Sequence, residues 1–203
     1  MLFLAIGARP ALKNVQSSRI LVTTSRNPPQ AVSAFCNDLV RSIPNSIKAS
    51  RSKSSLDNLA EKALEHEAVK IVIVDCWRGN IGKIRLFEVG ESGLSQFYPL
   101  ILVKRVVLRR TFEHVRTKAV RALVLLTAAK VPFEADRLAA SLSNFFKISR
   151  LSADEELSTE EQAAMHISLD AAHRIQITFL QTLLRVEVGP RTTVSHLVQR
   201  PRK

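Results

Sequence analysis

Cysteine, glycine and aromatic residues are all scarce in this chain of 203 residues, and each scarcity removes a class of protein. The two cysteines, Cys36 and Cys76, lie 40 positions apart, cannot supply a disulfide framework, and point to a reducing intracellular setting. Six glycines leave little from which to build ligand loops. No Gly-x-x-x-x-Gly-Lys-Ser/Thr, Gly-x-Gly-x-x-Gly or Gly-x-Ser-x-Gly occurs, which excludes the familiar phosphate-loop, dinucleotide and nucleophile-elbow sites. One Trp, one Tyr and 5% aromatic residues argue against a broad stacking platform. His66, His114, His166, His173 and His196 show no zinc spacing. The pair seven apart, His166 and His173, makes no closed site, so neither metal nor cofactor is expected. No apolar run approaches the ~20 residues that span a bilayer. The apolar opening at 1–6 lacks a basic flank and a clear cleavage site. It reads as a tail or an extra strand, and no membrane partner is expected.

What is present is an ordinary globular composition, 46% hydrophobic and 24% charged, with a net charge of +12. At this length the chain forms one domain, or two small ones. Residues 1–130 hold 21 Lys+Arg and 9 Asp+Glu, whereas 131–203 hold 9 of each, so the whole excess lies in the first two-thirds. It is densest at 104–121, where Lys104, Arg105, Arg109, Arg110, Arg116, Lys118 and Arg121 face only Glu113. A cation cluster on a folded surface attracts polyanions and releases counterions on binding; nucleic acid is the commonest such polyanion. The neighbouring Val106, Val107 and Leu108 form a β-like run rather than the apolar face of a membrane helix. The plainer alternative is a solubilising surface.

Apolar periodicity gives the organisation. Ile20-Leu21-Val22-Thr23-Thr24 reads as a buried strand, followed by a helix that Asn27 can cap and whose first turn tolerates Pro28 and Pro29. Val32, Phe35, Cys36, Leu39, Val40 and Ile43 form its apolar stripe. A second strand is expected at Ile47-Lys48-Ala49, and a second helix opened by a Ser54/Asp57 capping box with Leu56, Leu59, Ala60, Ala63 and Leu64 inward. The run 69–74, broken only by Lys70, reads as a strand buried on both faces. A turn at Trp77-Arg78-Gly79-Asn80 and another at 90–93 then join it to strands at 83–89 and 100–108.

The second half replays the first. Ala122-Leu123-Val124-Leu125-Leu126-Thr127 follows the first strand by 102 residues, and Pro132 opens a helix as Pro28 and Pro29 do. Ala135, Leu138, Ala139, Leu142 and Phe146 then fall where the first helix has Val32, Phe35, Cys36, Leu39 and Ile43. Leu86-Phe87-Glu88-Val89-Gly90 recurs in character as Arg185-Val186-Glu187-Val188-Gly189. A period near 100 residues is too long for a solenoid and suggests two similar αβ units, although any two amphipathic units share such patterns.

For catalysis the best candidate is Asp75, after the apolar run 71–74, at a strand end where α/β folds place ligand groups. It has no visible carboxylate or histidine partner, and a capping or turn role is the simpler reading. The acidic Asp154-Glu155-Glu156 and Ser158-x-x-Glu161 read as a helix start. Phosphate contacts are better supported. Thr23-Thr24-Ser25-Arg26 runs into a helix N-terminus, and Ser46, Ser50, Ser52, Ser54 and Ser55 surround Lys48, Arg51 and Lys53. Trp77 beside Arg78 offers a stacking plane, or else fills the core.

Three segments together resemble the Brix domain family of ribosome-biogenesis proteins. They are Ile20-Leu21-Val22-Thr23-Thr24-Ser25-Arg26, Arg51 in the serine-rich loop, and Leu184-Arg185-Val186-Glu187-Val188-Gly189-Pro190-Arg191. The resemblance covers about 18–200, between an N-terminal tail at 1–17 and a C-terminal one at 201–203. It implies an α/β fold of two tandem, similar αβ halves, about 18–118 and 119–200, resembling the anticodon-binding domain of class II aminoacyl-tRNA synthetases. It further implies an RNA-binding, non-enzymatic factor of ribosomal RNA processing and subunit assembly. Its partners would be precursor ribosomal RNA, small nucleolar-type guide RNA and assembly proteins, in the cytoplasm (the nucleolus if eukaryotic). The shortness of the chain is similar to archaeal members. The segment 93–99 lacks the Leu-Pro-x-Gly-Pro-Thr of eukaryotic relatives, so no contact made through it carries over.

The expected RNA-binding set is Ser25, Arg26, Lys48, Arg51, Lys53, Arg78, Lys104, Arg105, Arg109, Arg110, Arg116, Lys118, Arg121 and Arg191. At the motif positions a structural role competes: Thr24 or Ser25 capping the first helix, and Arg191 tying the halves through a carboxylate. The rival functions are a protein-interaction scaffold in an assembly complex, using a sheet edge, and an RNA-processing enzyme centred on Asp75.

Overall fold

The computed structural model describes residues 19–51, 55–91, 93–112, 120–151, 162–181 and 186–200. Strand β1 (Arg19–Thr24) leads into helix α1 (Gln30–Ser42) and the short β2 (Ser46–Lys48). Helix α2 (Leu56–Glu65) follows, then β3 (Ala68–Trp77), β4 (Asn80–Gly90) and β5 (Gly93–Val107), with a 3-10 turn at Arg109–Thr111. The remainder comprises β6 (Ala122–Thr127), α3 (Phe133–Phe146), β7 (Arg150–Leu151), β8 (Gln162–Leu169), β9 (Ile175–Gln181) and β10 (Arg191–Val198). All ten strands form one sheet in the order β2-β1-β3-β4-β5-β10-β9-β8-β6-β7, a mixed α/β architecture of one large sheet with few helices.

From either edge inward the order repeats: a short strand, the strand that precedes a helix, then three more. β1 pairs in parallel with β2 and β3, and β6 in parallel with β7 and β8. β5 and β10 meet antiparallel at the centre. By position in the sheet β4 is matched by β9, not by 185–189 as the sequence pattern suggested; Glu187 makes only an isolated bridge to Leu180.

Alternation along the strands sends side chains to two unequal layers. Ile20, Val22, Val72, Val74, Ile84, Leu86, Leu125, Met165, Ile167 and Phe179 pack with Val32, Phe35 and Leu39 of α1 and Leu138, Leu142 and Phe145 of α3 in a single core. On the other face Leu21, Ile71, Ile73 and Phe87 pack with Leu59 and Ala63 of α2 in a smaller one. Among the described residues, α2 is the only helix on that second face.

Several local expectations are corrected. Asn27 does not cap α1; it lies in the left-handed region (φ 47) and Pro29 holds the cap position without a side-chain hydrogen bond. The cap of α2 is Ser55, its hydroxyl accepting from the Asn58 amide at 3.2 Å; Ser54, the expected cap, lies outside the described residues. Within α2, Leu56 and Leu64 are exposed. In β3 the pattern inverts: Val69 is 40% exposed and Lys70 is buried, its ammonium donating to the Phe145 carbonyl at the C-terminal end of α3 and lying 5.5 Å from the Phe145 ring centre. A cation suits a helix C-terminus, where unsatisfied carbonyls carry partial negative charge. Phe145, rather than Phe146, fills the core position.

Gly189 shows why the Gly-Pro-Arg motif tolerates no side chain. A Cβ there would collide with Ser42 Oγ of α1 and lie 2.7 Å from Phe179 Cβ of β9. Gly189→Ala is therefore expected to destabilise the protein by about 1–3 kcal/mol, the usual range for overpacking, as read by chemical denaturation.

Candidate nucleic-acid interface

The residues at the carboxyl ends of β1 and β3 are held by a web of short contacts. The Ser25 amide donates to the Val74 carbonyl at 2.9 Å, and Ser25 Oγ accepts from the Cys76 amide at 3.2 Å. Ser25 thus ties β1 to β3 and does not cap α1; Thr24 is buried beside it. Thr23 Oγ1 donates to the Ala49 carbonyl at 2.8 Å, and the Ala49 amide to the Val22 carbonyl at 3.1 Å, which pins the chain entering Arg51 alongside β1.

Asp75 is inside β3 rather than at its end, so neither a turn nor a cap role applies. Alternation places it with Ile71 and Ile73 on the α2 face, directly opposite Lys83 of β4. Both its carboxylate oxygens are taken by Arg85, from Nε at 2.6 Å and from Nη2 at 3.0 Å, and Lys83 Nζ lies 3.8 Å away. A carboxylate held by a bidentate guanidinium is an ion-pair anchor, with no unengaged oxygen for proton transfer. Arg51, expected at the surface, is 8% exposed, and its Nε has no hydrogen-bond partner among the described residues. Burial, then the charge of Arg85, lower its pKa; Asp75 acts the other way and Arg26 adds to the lowering.

From this cluster the cations continue along the same face of the sheet. Register runs Asp75, Lys83, Leu102, His196 across β3, β4, β5 and β10, and Arg105, Thr193, Gln176, Ser168 across β5, β10, β9 and β8. Gln176 lies between Ile175 and Ile177, which face α1 and α3, so the second row also turns away from those helices. A bulge at Lys104, two residues of β5 against one of β10, brings Lys104 and Arg105 to this face in succession, both exposed. Beyond them a cleft of about 350 Å³ is lined by Arg105, Val107, Arg174, Gln176, Arg191 and Thr193 together with the 170–172 turn.

Arg174 pairs with Asp170 at 2.9 Å. Hydrogen bonds from the Arg174 and Ala172 amides, that of Arg174 foremost, hold the Asp170 carboxyl below its ordinary pKa. Arg191 donates to Glu187, four residues earlier, and its guanidinium lies 5.1 Å from the Phe112 ring centre. Its carboxylate partner is therefore local, and its reach to the first half is a stacking contact. His166, whose pKa burial lowers, is biased towards its neutral form.

Of the other expected contacts, Lys48 donates to Ser33 and to Asn37 Oδ1 of α1. Arg78, at φ 49 in the β3–β4 turn, lies 5.9 Å from the ring centre of Trp77, which is 69% exposed and so outside the core. Arg109 donates its amide to Asp38 Oδ2 at 2.9 Å, and Arg110 sits exposed beside it in the 3-10 turn. Arg121 immediately precedes β6 and is exposed. Lys53, Arg116 and Lys118 lie outside the described residues, as do the acidic segment 154–156 and Ser158 to Glu161. The basic face thus takes in Arg26, Arg51, Lys104, Arg105 and Arg191 from the expected set. It adds Lys83, Arg85 and Arg174, which sequence reasoning missed although Lys83 and Arg85 show the period-2 spacing that puts two cations on one face of a strand.

No family profile matches the chain. A probable Brix domain-containing ribosomal biogenesis protein of Sulfurisphaera tokodaii is 33% identical over 95 residues, 45% of this chain and 54% of that one. A protein of the same description from Aeropyrum pernix is 35% identical over 89 residues, 44% of this chain and 49% of that one. The chain thus spans about half the length of these curated relatives. In three dimensions the crystal structure of a probable ribosomal biogenesis protein from Aeropyrum pernix superposes with a TM-score of 0.72 at 27% identity, over 92% of this chain and 98% of that one. An archaeal Imp4-like protein, at 20% identity and a TM-score of 0.61, shares the fold over 89% of this chain. The resemblance to the Brix domain ribosomal biogenesis proteins, carried by the segments 20–26 and 184–191, is borne out by relatives in both sequence and fold.

Proposed function

We propose that this chain is a ribosome biogenesis factor that binds precursor ribosomal RNA through the basic face of its sheet and carries out no catalysis. The observation that carries this reading is the row of cations, Lys83, Arg85, Lys104, Arg105 and Arg174, on the face turned away from α1 and α3. Guanidinium and ammonium groups on a sheet surface suit the phosphates of a transcript, and exposed Trp77 beside Arg78 suits an unstacked base at its rim. Bidentate pairing of Asp75 with Arg85 favours binding over cleavage.

The tandem organisation belongs to the same proposal: two related αβ halves, about 18–118 and 119–200, joined at the β5–β10 seam, with the likeness to anticodon-binding domains that the family resemblance implies. The repeated strand order and the parallel pairings of β1 and β6 support it. Assembly proteins and guide RNA are further partners, and the cytoplasm of an archaeal cell is the setting such a role requires. Addition of a partner strand at a sheet edge, the scaffold alternative, is less favoured because the edge strands β2 and β7 are only 3 and 2 residues long.

Fluorescence anisotropy with ribosomal RNA fragments at several salt concentrations tests the proposal. The logarithm of the affinity should fall with log salt by roughly 0.7 for each phosphate neutralised on single strands, for a total slope of about 3 or more. Affinity that is undetectable at low salt, or insensitive to salt, would exclude RNA binding through this face.

A further inference from the structure

We infer that the cation cluster near the carboxyl ends of β1 and β3 is a binding site for a single phosphate group, received by Arg51 and Arg26 beside the Asp75–Arg85 pair. Three observations converge on it. Arg51 is more than nine-tenths buried with an unpartnered Nε, and a buried donor left without an acceptor costs on the order of 1–3 kcal/mol, so the site is short of an acceptor. Asp75 does not supply that acceptor: its carboxylate is engaged by Arg85 at both oxygens, and Arg51 Nε has no partner among the described residues. Among the described residues Arg51, Lys83 and Arg85 share this one carboxylate and Arg26 adds a further positive charge at Arg51, which leaves an uncompensated positive charge.

The surroundings suit an anion as well. Helix α1 begins four residues after Arg26 with no acidic residue in its first turn and no side-chain cap, so the chain around Arg26 carries no local counter-charge. A phosphate offers tetrahedral oxygens that can accept from more than one guanidinium, and the charge of Arg26 is felt at Arg51. The buried Arg51 would read the anion and the exposed Arg26 would close over it.

The physiological source rests on the RNA-binding reading: a backbone or terminal phosphate of the transcript, with free inorganic phosphate the other source of the same chemistry. The test titrates the full chain with inorganic phosphate, following amide or arginine side-chain NMR signals, against sodium chloride at matched ionic strength. Saturable shifts at residues around 24–26 and 51 are expected with phosphate and not with chloride. Arg26→Met, an exposed change that leaves the fold intact, should weaken phosphate about tenfold, and Arg51→Met by at least as much. Equal responses to phosphate and chloride, or unaltered phosphate affinity in both variants, would overturn the site.

A second arm adds ribosomal RNA fragments to the phosphate-loaded protein. Displacement of phosphate identifies the RNA as the source. RNA binding without displacement, or phosphate binding where no RNA binds, leaves the phosphate site standing with free phosphate as its ligand; only the latter result refutes the RNA-binding proposal itself.

Discussion

Phe145→Ala is expected to cost about 3–5 kcal/mol of stability, the range for truncating a fully buried aromatic residue. The ring is 0% exposed and sits where three elements meet. Its centre lies 5.3 Å from that of Phe97 on β5 and 5.0 Å from that of Phe146, the latter edge-on, a geometry that adds to simple burial. Lys70 of β3 donates to its carbonyl and lies over its ring. The alanine would open a cavity between α3 and the centre of the sheet and remove the hydrocarbon that shields Lys70. Denaturant unfolding should show the midpoint falling, with a melting temperature lower by about 10 °C for a chain of this size. A loss below about 1 kcal/mol would mean that α3 is not packed across the sheet as described.

The ion pair at Asp75 gives the second large effect, and its asymmetry is the informative part. Asp75→Asn removes the one carboxylate among Arg26, Arg51, Lys83 and Arg85, so partly buried cations are left facing one another; the expected loss is about 3–5 kcal/mol. Arg85→Met removes one cation while Lys83 and Arg51 remain to balance the carboxylate, and methionine keeps most of the aliphatic volume. A loss of about 1 kcal/mol is expected there, in keeping with a pair whose other charges compensate. Equal destabilisation by the two variants would contradict the account of Asp75 as the counter-ion of a cation cluster.

Much of the fold was legible because local patterns and tertiary burial agree. The continuous apolar runs of β1 and β6 give those strands, and the apolar stripes of α1 and α3 give both the helices and their buried faces. Failures arise where a distant partner decides. Lys70 reads as the one polar break in a run buried on both faces, yet it is itself buried, a carbonyl 75 residues away accepting from it, and Val69 goes to solvent instead. Phe145 and Phe146 are adjacent apolar residues at a helix end, where the 3.6-residue period no longer distinguishes them.

For the basic face, the motifs led to turns, whereas five of its eight cations, Lys83, Arg85, Lys104, Arg105 and Arg191, sit within strands. The turn at Arg78 and Gly79, both at positive φ, sets Trp77 opposite Asn80, but counting back from it would put Asp75 opposite Gly82; a register shift between Asp75 and Cys76 brings Lys83 there instead. Only the turn itself was available from sequence. Neither that shift nor the bulge at Lys104, which turns Arg105 to the same face, was, because a bulge has no signature in the apolar pattern.

The central claim concerns which side of the sheet meets RNA, and a matched pair of triple variants tests it most directly. One neutralises Lys83, Lys104 and Arg105 on the basic face; the other neutralises Arg41, Lys130 and Arg137, carried by α1, the β6–α3 connection and α3. Both remove three positive charges, so an effect of net charge alone would weaken RNA equally. The account predicts that the first triple lowers affinity for ribosomal RNA at least tenfold and flattens the salt slope by roughly 2, while the second leaves both nearly unchanged. Equal losses, or a larger loss from the helix-side triple, would contradict it.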